Sequence, residues 1–206
     1  SLRWFRDVLG ESEKEISKQT GEDVYNILSR KASRAEPGSE GLLFLPYLIG
    51  ERCPYADPNA RGAFIGLTLR HNRCHLVRSI LEGVVFSLRD VTEVIKEMEL
   101  PLTEIRTSGG GALSELWRQI HADVFNREVF TMSNSAEGGA YGAALVAGAG
   151  IGIWPSVEEA VKILRIETKN VPIQENVRIY DRLFPIYQDL YQVFKNTFDQ
   201  ISEFYD

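Results

Sequence analysis

The stretch from Ile105 to Ala149 constrains the fold more than any other part of this sequence. It begins with a short segment typical of a strand, Ile105–Ser108, and continues with helical spacing over Leu113–Phe125. The same order repeats, with a strand predicted over Glu128–Thr131 and a helix over Ser135–Ala149. Strands that alternate with helices pack as parallel neighbours, so the sequence predicts an α/β fold. The side chains expected to face inward from the first helix are Leu113, Leu116, Trp117, Ile120 and Val124.

Longer amphipathic helices are predicted on either side of that stretch. Apolar residues recur at helical intervals from about His75 to Glu99, and Pro101 ends the pattern. The last helix runs from about Asn176 to Phe204, and its aromatic stripe favours a packing face over a platform for stacking a ligand. Gly41–Leu48 is an apolar run typical of a strand that is covered on both faces.

Composition and charge narrow the partners of the chain. Its 206 residues are enough for one sizeable domain, and no internal repeat divides them. The 23 Lys and Arg residues stand against 29 Asp and Glu residues, which gives a net charge of -6. Nucleic acids and anionic membranes require a basic surface, and no apolar run is long enough to span a bilayer, so we predict neither partner. A small anionic ligand is compatible with this charge, because backbone N–H groups can bind it.

The spacing of cysteine and histidine disfavours a disulfide scaffold and a metal site. Cys53 and Cys74 form no metal-binding motif and favour reduced thiols in the cytoplasm. His71, His75 and His121 do not form a zinc-binding pattern. The chain opens without Met, inside an amphipathic segment, so we expect it to be part of a longer protein.

The strongest candidate site is the run Gly109-Gly110-Gly111-Ala112, which lies where a predicted strand passes to a predicted helix. Three successive residues there lack a Cβ, so a ligand can touch the backbone directly. The N–H groups that open the following helix also lack partners within the helix and can point at a ligand. Such a turn suits a nucleotide, although a tight turn that binds nothing explains these residues equally well.

Two other segments carry residues of interest. Ala136–Ala144 is rich in glycine and alanine, which favours close packing against a neighbouring element over contact with a bound ring. Glu51–Gly62 is a polar, proline-punctuated segment that predicts a surface loop. Its charged side chains are Glu51, Arg52, Asp57 and Arg61. They favour a salt-bridged loop that holds its own shape over one that reaches a substrate or a second domain.

Several segments, in order along the chain, carry a family resemblance. Gly62–Leu67 is followed, after seven residues, by His75–Glu82. The loop Leu45–Arg61, the run Ser108–Asp123 and the segment Glu137–Gly148 agree with the same pattern, as does the final helix. Together they resemble the C-terminal part of the FGGY carbohydrate kinases. The likeness extends over essentially the whole chain and is greatest to the xylulose kinase branch, with the gluconate kinases next.

The resemblance implies the actin-like ATPase fold, in which two ribonuclease-H-like lobes close on ATP and a sugar. Residues 1–206 would form the C-terminal, nucleotide-binding lobe, truncated at its N-terminus and without the N-terminal lobe. The residues that the resemblance implies for binding the adenosine part of ATP are Gly109, Gly110, Gly111, Ala112, Ser114 and Glu115. The Ala136–Ala144 helix would help to wall the adenine pocket.

The resemblance also implies that the reaction depends on residues outside this chain. The catalytic aspartate and most sugar contacts belong to the other lobe, so no catalytic residue is expected here. The intact kinase would transfer the γ-phosphate of ATP, with Mg²⁺, to the 5-hydroxyl of the pentulose D-xylulose. The chain alone is expected to lack kinase activity and to bind nucleotide weakly at best. It is also expected to self-associate, for example as a homodimer, through an exposed sheet edge or apolar face.

Overall fold

A computed structural model describes residues 1–204, which form α-helices and short β-strands. The helices are α1 (Leu2–Val8), α2 (Glu11–Thr20), α3 (Val24–Ala32), α4 (Arg73–Glu97), α5 (Glu115–Phe125), α6 (Gly138–Gly150), α7 (Val157–Val161) and α8 (Gln174–Ser202). The strands are β1 (Leu43–Leu45), β2 (Ala63–Ile65), β3 (Ile105–Arg106), β4 (Val129–Met132) and β5 (Ile166–Asn170). Within residues 1–204, no helix combines the length and apolar character needed to cross a lipid bilayer.

These elements form two compact units. The first unit contains Ser1–Leu102 together with the chain from Gln174 onward, and the second contains Thr103–Ile173. The second unit is therefore continuous in sequence, whereas the first is interrupted by it.

The first unit is built around α4, a helix of 25 residues. Asn72 caps its start, because its side chain accepts a hydrogen bond from the Cys74 N–H at 2.9 Å. The Asn72 N–H in turn donates to Nδ1 of His75 at 3.1 Å, which completes a reciprocal cap. The helix ends at Glu97, before Pro101, so the predicted long helix is confirmed within about two residues at either end.

β1 lies against α4 and pairs with β2 in antiparallel fashion, with Leu43 opposite Ile65. All of its side chains are buried, as the apolar run predicts. A Cβ placed on Gly83 of α4 would lie only 2.1 Å from the carbonyl oxygen of Phe44. The absence of a side chain at Gly83 therefore lets the strand and the helix approach this closely.

α8 packs its aromatic stripe into the first unit. The buried residues of this helix are Val177, Tyr180, Phe184, Tyr187, Tyr191 and Phe198. The Tyr191 ring stacks on Tyr55 with 3.6 Å between the ring centroids, and its hydroxyl donates to Asp57 at 2.9 Å. These contacts are internal, so the prediction of a packing face is confirmed.

A buried ion pair joins three segments of the first unit. Arg78 Nε donates to Oε1 of Glu82 at 2.7 Å, and both side chains are buried. The Tyr180 hydroxyl and the Gly38 N–H donate to the same oxygen, at 2.8 and 2.9 Å, and Ser39 Oγ donates to Oε2 at 2.8 Å. Such an ion pair is tolerated in the interior because its polar atoms are hydrogen-bonded.

The second unit contains a three-stranded sheet in the order β3-β4-β5. β3 and β4 run parallel, with Ile105 opposite Val129, which confirms the predicted α/β arrangement. β5 pairs antiparallel with β4 and is not predicted from the sequence, because Ile166–Asn170 is largely polar and exposed. α5 covers part of this sheet with Ile120 and Val124, which are buried as predicted.

The start of α5 differs from the prediction. The helix begins at Glu115, because Gly110–Leu113 forms a separate 3₁₀ turn and Ser114 is the capping residue. Leu113 therefore lies outside the helical repeat, and 65% of its surface is exposed. The prediction that Leu113 faces inward is wrong, since the helical spacing that assigned it to the inner face does not extend to this residue.

Candidate functional site

The three consecutive glycines of the second unit occupy different environments. Gly109 has φ 80° and ψ -179°, a backbone conformation that is essentially restricted to glycine. Its N–H donates to the carbonyl oxygen of Ser135 at 2.6 Å, which ties the turn to the segment that precedes α6. Gly109 is thus required by the path of the backbone.

Gly111 is required by internal packing. A Cβ on this residue would lie 1.6 Å from Cζ3 of Trp117, because the indole ring lies directly against the glycine. The prediction that the absence of Cβ atoms serves ligand contact does not account for Gly111, whose open position is filled by Trp117.

Gly110 has neither of these requirements. Its φ lies outside the left-handed region, and among the described residues nothing lies within 4 Å of the Cβ that another residue would place there. Neither the backbone conformation nor packing within residues 1–204 explains a glycine at this position. Open space above the bare backbone is what a ligand that contacts this turn would need.

The other predicted binding residues have contrasting positions. Ala112 is the buried residue of the 3₁₀ turn, whereas Glu115 is exposed in the first turn of α5. Oγ of Ser114 accepts a hydrogen bond from the Trp117 N–H at 3.3 Å and so caps α5. The six predicted residues thus lie within the segment 109–115, from the 3₁₀ turn to the start of α5, and their contact with a nucleotide remains a prediction.

The start of α6 lies against the same turn. A Cβ on Gly138 would lie 2.8 Å from the Cβ of Ser108, the residue before Gly109. Gly139 and Gly142, three residues apart on one face of α6, are exposed, and a Cβ on either would meet no described atom within 4 Å. The interpretation of Ala136–Ala144 as a closely packed segment therefore holds at Gly138 but fails at Gly139 and Gly142.

The open glycines thus define a candidate binding surface on the second unit. We call it the glycine surface, and it consists of Gly109, Gly110, Gly139 and Gly142. It presents bare backbone and small side chains, and the exposed Leu113 ends the neighbouring 3₁₀ turn. Such a surface suits a flat apolar ring that stacks against backbone, as in an adenosine group.

Two polar side chains of α5, His121 and Arg118, make hydrogen bonds near the turn. Nδ1 of His121 donates to the Trp117 carbonyl oxygen at 2.7 Å. Burial lowers the pKa of His121, and the hydrogen bond to that carbonyl opposes this shift only in part. Arg118 Nη1 donates to the Ala112 carbonyl at 2.6 Å, and its Nε donates to Oδ1 of Asn170 at 3.1 Å.

The loop Glu51–Gly62 belongs to the first unit and holds its own shape. Glu51 and Asp57 exchange backbone hydrogen bonds of 2.8 and 2.7 Å, and Oε1 of Glu51 accepts from the Arg52 and Cys53 N–H groups. Arg61 Nη1 donates to the Pro58 carbonyl at 2.8 Å. These contacts within the loop fit the prediction of a loop that holds its own shape, and contacts of Tyr55 and Asp57 with Tyr191 also join it to α8.

Metal-ligating side chains do not cluster in the described part of the chain. Within residues 1–204, no three His, Cys, Asp or Glu side chains converge as metal ligands. Both cysteines, Cys53 and Cys74, are free thiols in this structure.

Comparison with known proteins agrees with this description. The C-terminal domain of the FGGY family of carbohydrate kinases matches residues 1–151. A gluconokinase from Bacillus subtilis is 38% identical over 98% of this chain, and a xylulose kinase from the same species is 35% identical over 99%. The crystal structure of gluconate kinase from Lactobacillus acidophilus superposes on 97% of the chain with a TM-score of 0.80, at 29% identity.

These matches identify the family and the fold of the chain. The chain belongs to the FGGY family of carbohydrate kinases and corresponds to its C-terminal domain. Its fold is that of the actin-like ATPases to which these kinases belong, as predicted. The chain spans 40% and 39% of the lengths of the two Bacillus subtilis relatives and 38% of the Lactobacillus acidophilus structure.

Sequence reasoning missed the residues that support the turn. Trp117 was assigned to the core by helical spacing alone, and its contact with Gly111 was not foreseen. The available signal is local, since a tryptophan in the first turn of a helix follows a glycine-rich turn. The role of Arg118 depends on Asn170 in β5, a strand that the sequence does not predict, so no local signal identifies it.

Proposed function

We propose that this chain is the nucleotide-binding lobe of a carbohydrate kinase and that the glycine surface holds the adenosine part of ATP. The observation that carries this proposal is Gly110, whose lack of a side chain has no explanation within the described chain. The contact between Ser108 and Gly138 supports it, because it places the start of α6 beside the turn and provides a second open segment for the ring.

In the reaction, this chain binds and orients the nucleotide. ATP supplies the γ-phosphoryl group, and phosphoryl transfer depends on positioning and on electrostatic stabilisation. The family resemblance assigns the catalytic base and most sugar contacts to the rest of the kinase, so we expect the chain alone to be inactive. We place the intact enzyme in the cytoplasm, because Cys53 and Cys74 of this chain are free thiols.

The acceptor sugar that we propose is D-xylulose, phosphorylated on its 5-hydroxyl. Gluconate is the second candidate, because two gluconokinases from Bacillus are 38% and 36% identical to this chain, beside 35% for a xylulose kinase. The test is a coupled ADP-release assay on the intact kinase that contains this chain, with D-xylulose, D-gluconate, D-ribulose and glycerol. Turnover with gluconate but not D-xylulose would contradict the first choice and support the second.

The nucleotide site can be tested on this chain directly. We expect the amide signals of Gly109, Gly110, Gly139 and Gly142 to move when ADP is titrated into the ¹⁵N-labelled chain at millimolar concentrations. The dissociation constant should rise at least fivefold in Gly110→Ala, because the added methyl group would occupy the space that the nucleotide needs. Gly150→Ala is the control, since a Cβ on Gly150 also meets nothing within 4 Å but lies outside the glycine surface.

Each outcome of this titration decides between explanations. Shift changes confined to residues outside the second unit would contradict the proposed site. Equal affinity of Gly110→Ala and the unaltered chain would remove the observation that carries the proposal. Equal weakening by Gly150→Ala would indicate a general effect on the second unit rather than contact at the turn.

Self-association of the chain remains a prediction. The second unit exposes several apolar side chains of α6 and the segment after it, namely Val146, Ile151 and Ile153, at 57%, 78% and 63%. Exposed apolar residues that form a patch promote association. Sedimentation velocity over a concentration series should therefore detect dimers or larger species, and Ile151→Ser with Ile153→Ser should reduce them. A monomer at all concentrations would contradict the prediction.

A further inference from the structure

The contact between Trp117 and Gly111 couples a helix to the candidate nucleotide turn. The six-membered part of the indole lies against Gly111, within the volume that any Cβ would need. Because Trp117 belongs to the first turn of α5, its ring fixes where the 3₁₀ turn Gly110–Leu113 passes over the helix. A ring in van der Waals contact with a backbone atom leaves that segment few alternative paths.

Packing, not hydrogen bonding, keeps this tryptophan in place. Nε1 of Trp117 is buried and has no hydrogen-bond partner among residues 1–204. A buried donor without a partner costs free energy that a phenylalanine or leucine would avoid. The ring of His121 lies edge-on to the indole, with 5.2 Å between the ring centroids, and so packs against it.

A second contact from α5 holds the same turn. Arg118 Nη1 donates to the carbonyl oxygen of Ala112 at 2.6 Å, and Arg118 is itself oriented by Oδ1 of Asn170. Asn170 also donates to Oε1 of Gln119 at 3.1 Å. Two consecutive residues of α5 thus contact two consecutive residues of the turn, one through a ring and one through a hydrogen bond.

We infer that Trp117 is a positioning residue for nucleotide binding. Its ring holds the backbone at Gly110 in the conformation that the nucleotide would contact. This inference rests on the proposed function, because it concerns the same site. Trp117 itself does not belong to the glycine surface, so its effect on affinity would act through Gly111. A turn ordered before binding costs less to fix in the complex, and the affinity is correspondingly higher.

The experiment compares three variants of the ¹⁵N-labelled chain. Trp117→Leu removes the flat ring from Gly111, whereas Trp117→Phe keeps an aromatic ring there and removes the unpaired N–H. Trp154→Leu is the matched control, because Trp154 also packs on a glycine of the second unit. A Cβ on Gly148 would lie 2.4 Å from its Cζ3.

Two measurements are made on each variant. Amide hydrogen exchange of residues 110–114 without ligand reports the order of the turn, and ADP titration reports the dissociation constant. We expect Trp117→Leu to speed exchange in the turn and to raise the dissociation constant roughly fivefold to tenfold, the scale on which ordering a short segment lowers affinity. Trp117→Phe should restore both values to within about twofold, and Trp154→Leu should change neither.

The outcomes separate this inference from the proposed function. If the unaltered chain does not shift with ADP, the proposed function fails and this inference fails with it. If the unaltered chain binds ADP and Trp117→Leu binds it equally well, only the inference fails. Equal losses in Trp117→Leu and Trp154→Leu would also overturn it, because they would indicate a general loss of structure. If Trp117→Leu does not fold, Trp117→Met takes its place, and equal ADP affinity of the folded Trp117→Met chain and the unaltered chain would overturn the inference.

Discussion

The two compact units differ in what fills them. The first unit buries large aromatic and charged side chains, including Tyr47, Tyr187 and the ion pair of Arg78 with Glu82. The second unit contains α6, in which only Leu145 and Gly148 are buried. Both units expose apolar side chains, but they differ in their open glycines. In the first unit the glycines whose Cβ would meet no described atom within 4 Å, Gly21 and Gly41, both have positive φ, whereas Gly110, Gly139 and Gly142 of the second unit do not. Backbone conformation therefore accounts for the open glycines of the first unit, whereas those three of the second unit lack this explanation.

The largest effect is expected at the buried ion pair. Arg78→Ala should destabilise the first unit by about 3–5 kcal/mol, because it leaves the buried Glu82 carboxylate without its cation. Urea unfolding followed by circular dichroism measures this loss. Arg89→Ala is a control on the same helix, because Arg89 is paired with a half-exposed Asp181. A loss equal to that control would contradict the assignment of the ion pair to the core of the first unit.

The next effect concerns a second buried carboxylate of the first unit. Burial would raise the pKa of Glu13, but hydrogen bonds from Arg73 and Lys31 lower it to about 2, below its ordinary value of 4.5. A carboxylate with a lowered pKa stabilises the folded state above its ordinary pKa, and this contribution is lost as the pH falls from about 4.5 to 2.

Glu13→Gln should therefore destabilise the chain by about 2–3 kcal/mol at neutral pH and flatten its stability curve in acid. Urea unfolding at a series of pH values measures both changes. Glu11→Gln is the matched control on α2, since Glu11 is exposed and pairs with Lys14 at the surface. If the stability of Glu13→Gln falls in acid as steeply as that of the unaltered chain, the loss of stability in acid depends on the pKa of another group.

A smaller effect distinguishes two neighbouring glycines of the second unit. Gly111→Ala should destabilise this unit by about 2 kcal/mol, because the new methyl group would overlap the Trp117 ring. Gly110→Ala should change stability by less than about 0.5 kcal/mol, since it meets no described atom. Fluorescence of a Trp4→Phe chain reports this unit alone, because the remaining tryptophans are Trp117 and Trp154. Equal stability of the two variants would contradict the difference between the glycines.

The smallest effect is a pH dependence of the second unit. Burial lowers the pKa of His121, so the imidazole binds a proton more readily in the unfolded state than in the folded state. Stability should fall as the pH decreases below the ordinary histidine pKa of about 6.5 and should be constant above it. His121→Phe should remove this dependence, as measured by urea unfolding of the Trp4→Phe chain. A dependence that persists in His121→Phe would assign it to another group.

The sequence predicts those elements whose periodicity is strong. α4 and α8 are long enough for many apolar residues to mark one face, and β3 and β4 alternate with helices, so their existence was predicted. α2 and β5 were missed, because their residues are largely polar and provide no apolar period. The division into two units was also missed, since the first is formed by two segments that are distant in sequence.

The glycines located the candidate site in the sequence, but the sequence did not reveal that each glycine has a different role. The sequence shows three identical residues in a row, whereas one satisfies a backbone angle, one admits an indole ring and one is open. Only three-dimensional contacts separate these roles, because they depend on Trp117 and on Ser135 rather than on the glycines themselves.

The interrupted first unit has a consequence for biosynthesis. The Tyr180 hydroxyl that binds Glu82 lies beyond Thr103–Ile173 in the sequence, so a ribosome must translate that whole insertion before α8 can reach its place. During this interval the Glu82 carboxylate and the surrounding apolar side chains of the nascent chain are not yet covered by α8. We therefore expect the continuous second unit to be able to fold during translation, whereas the first is completed only after its last helix has left the exit tunnel.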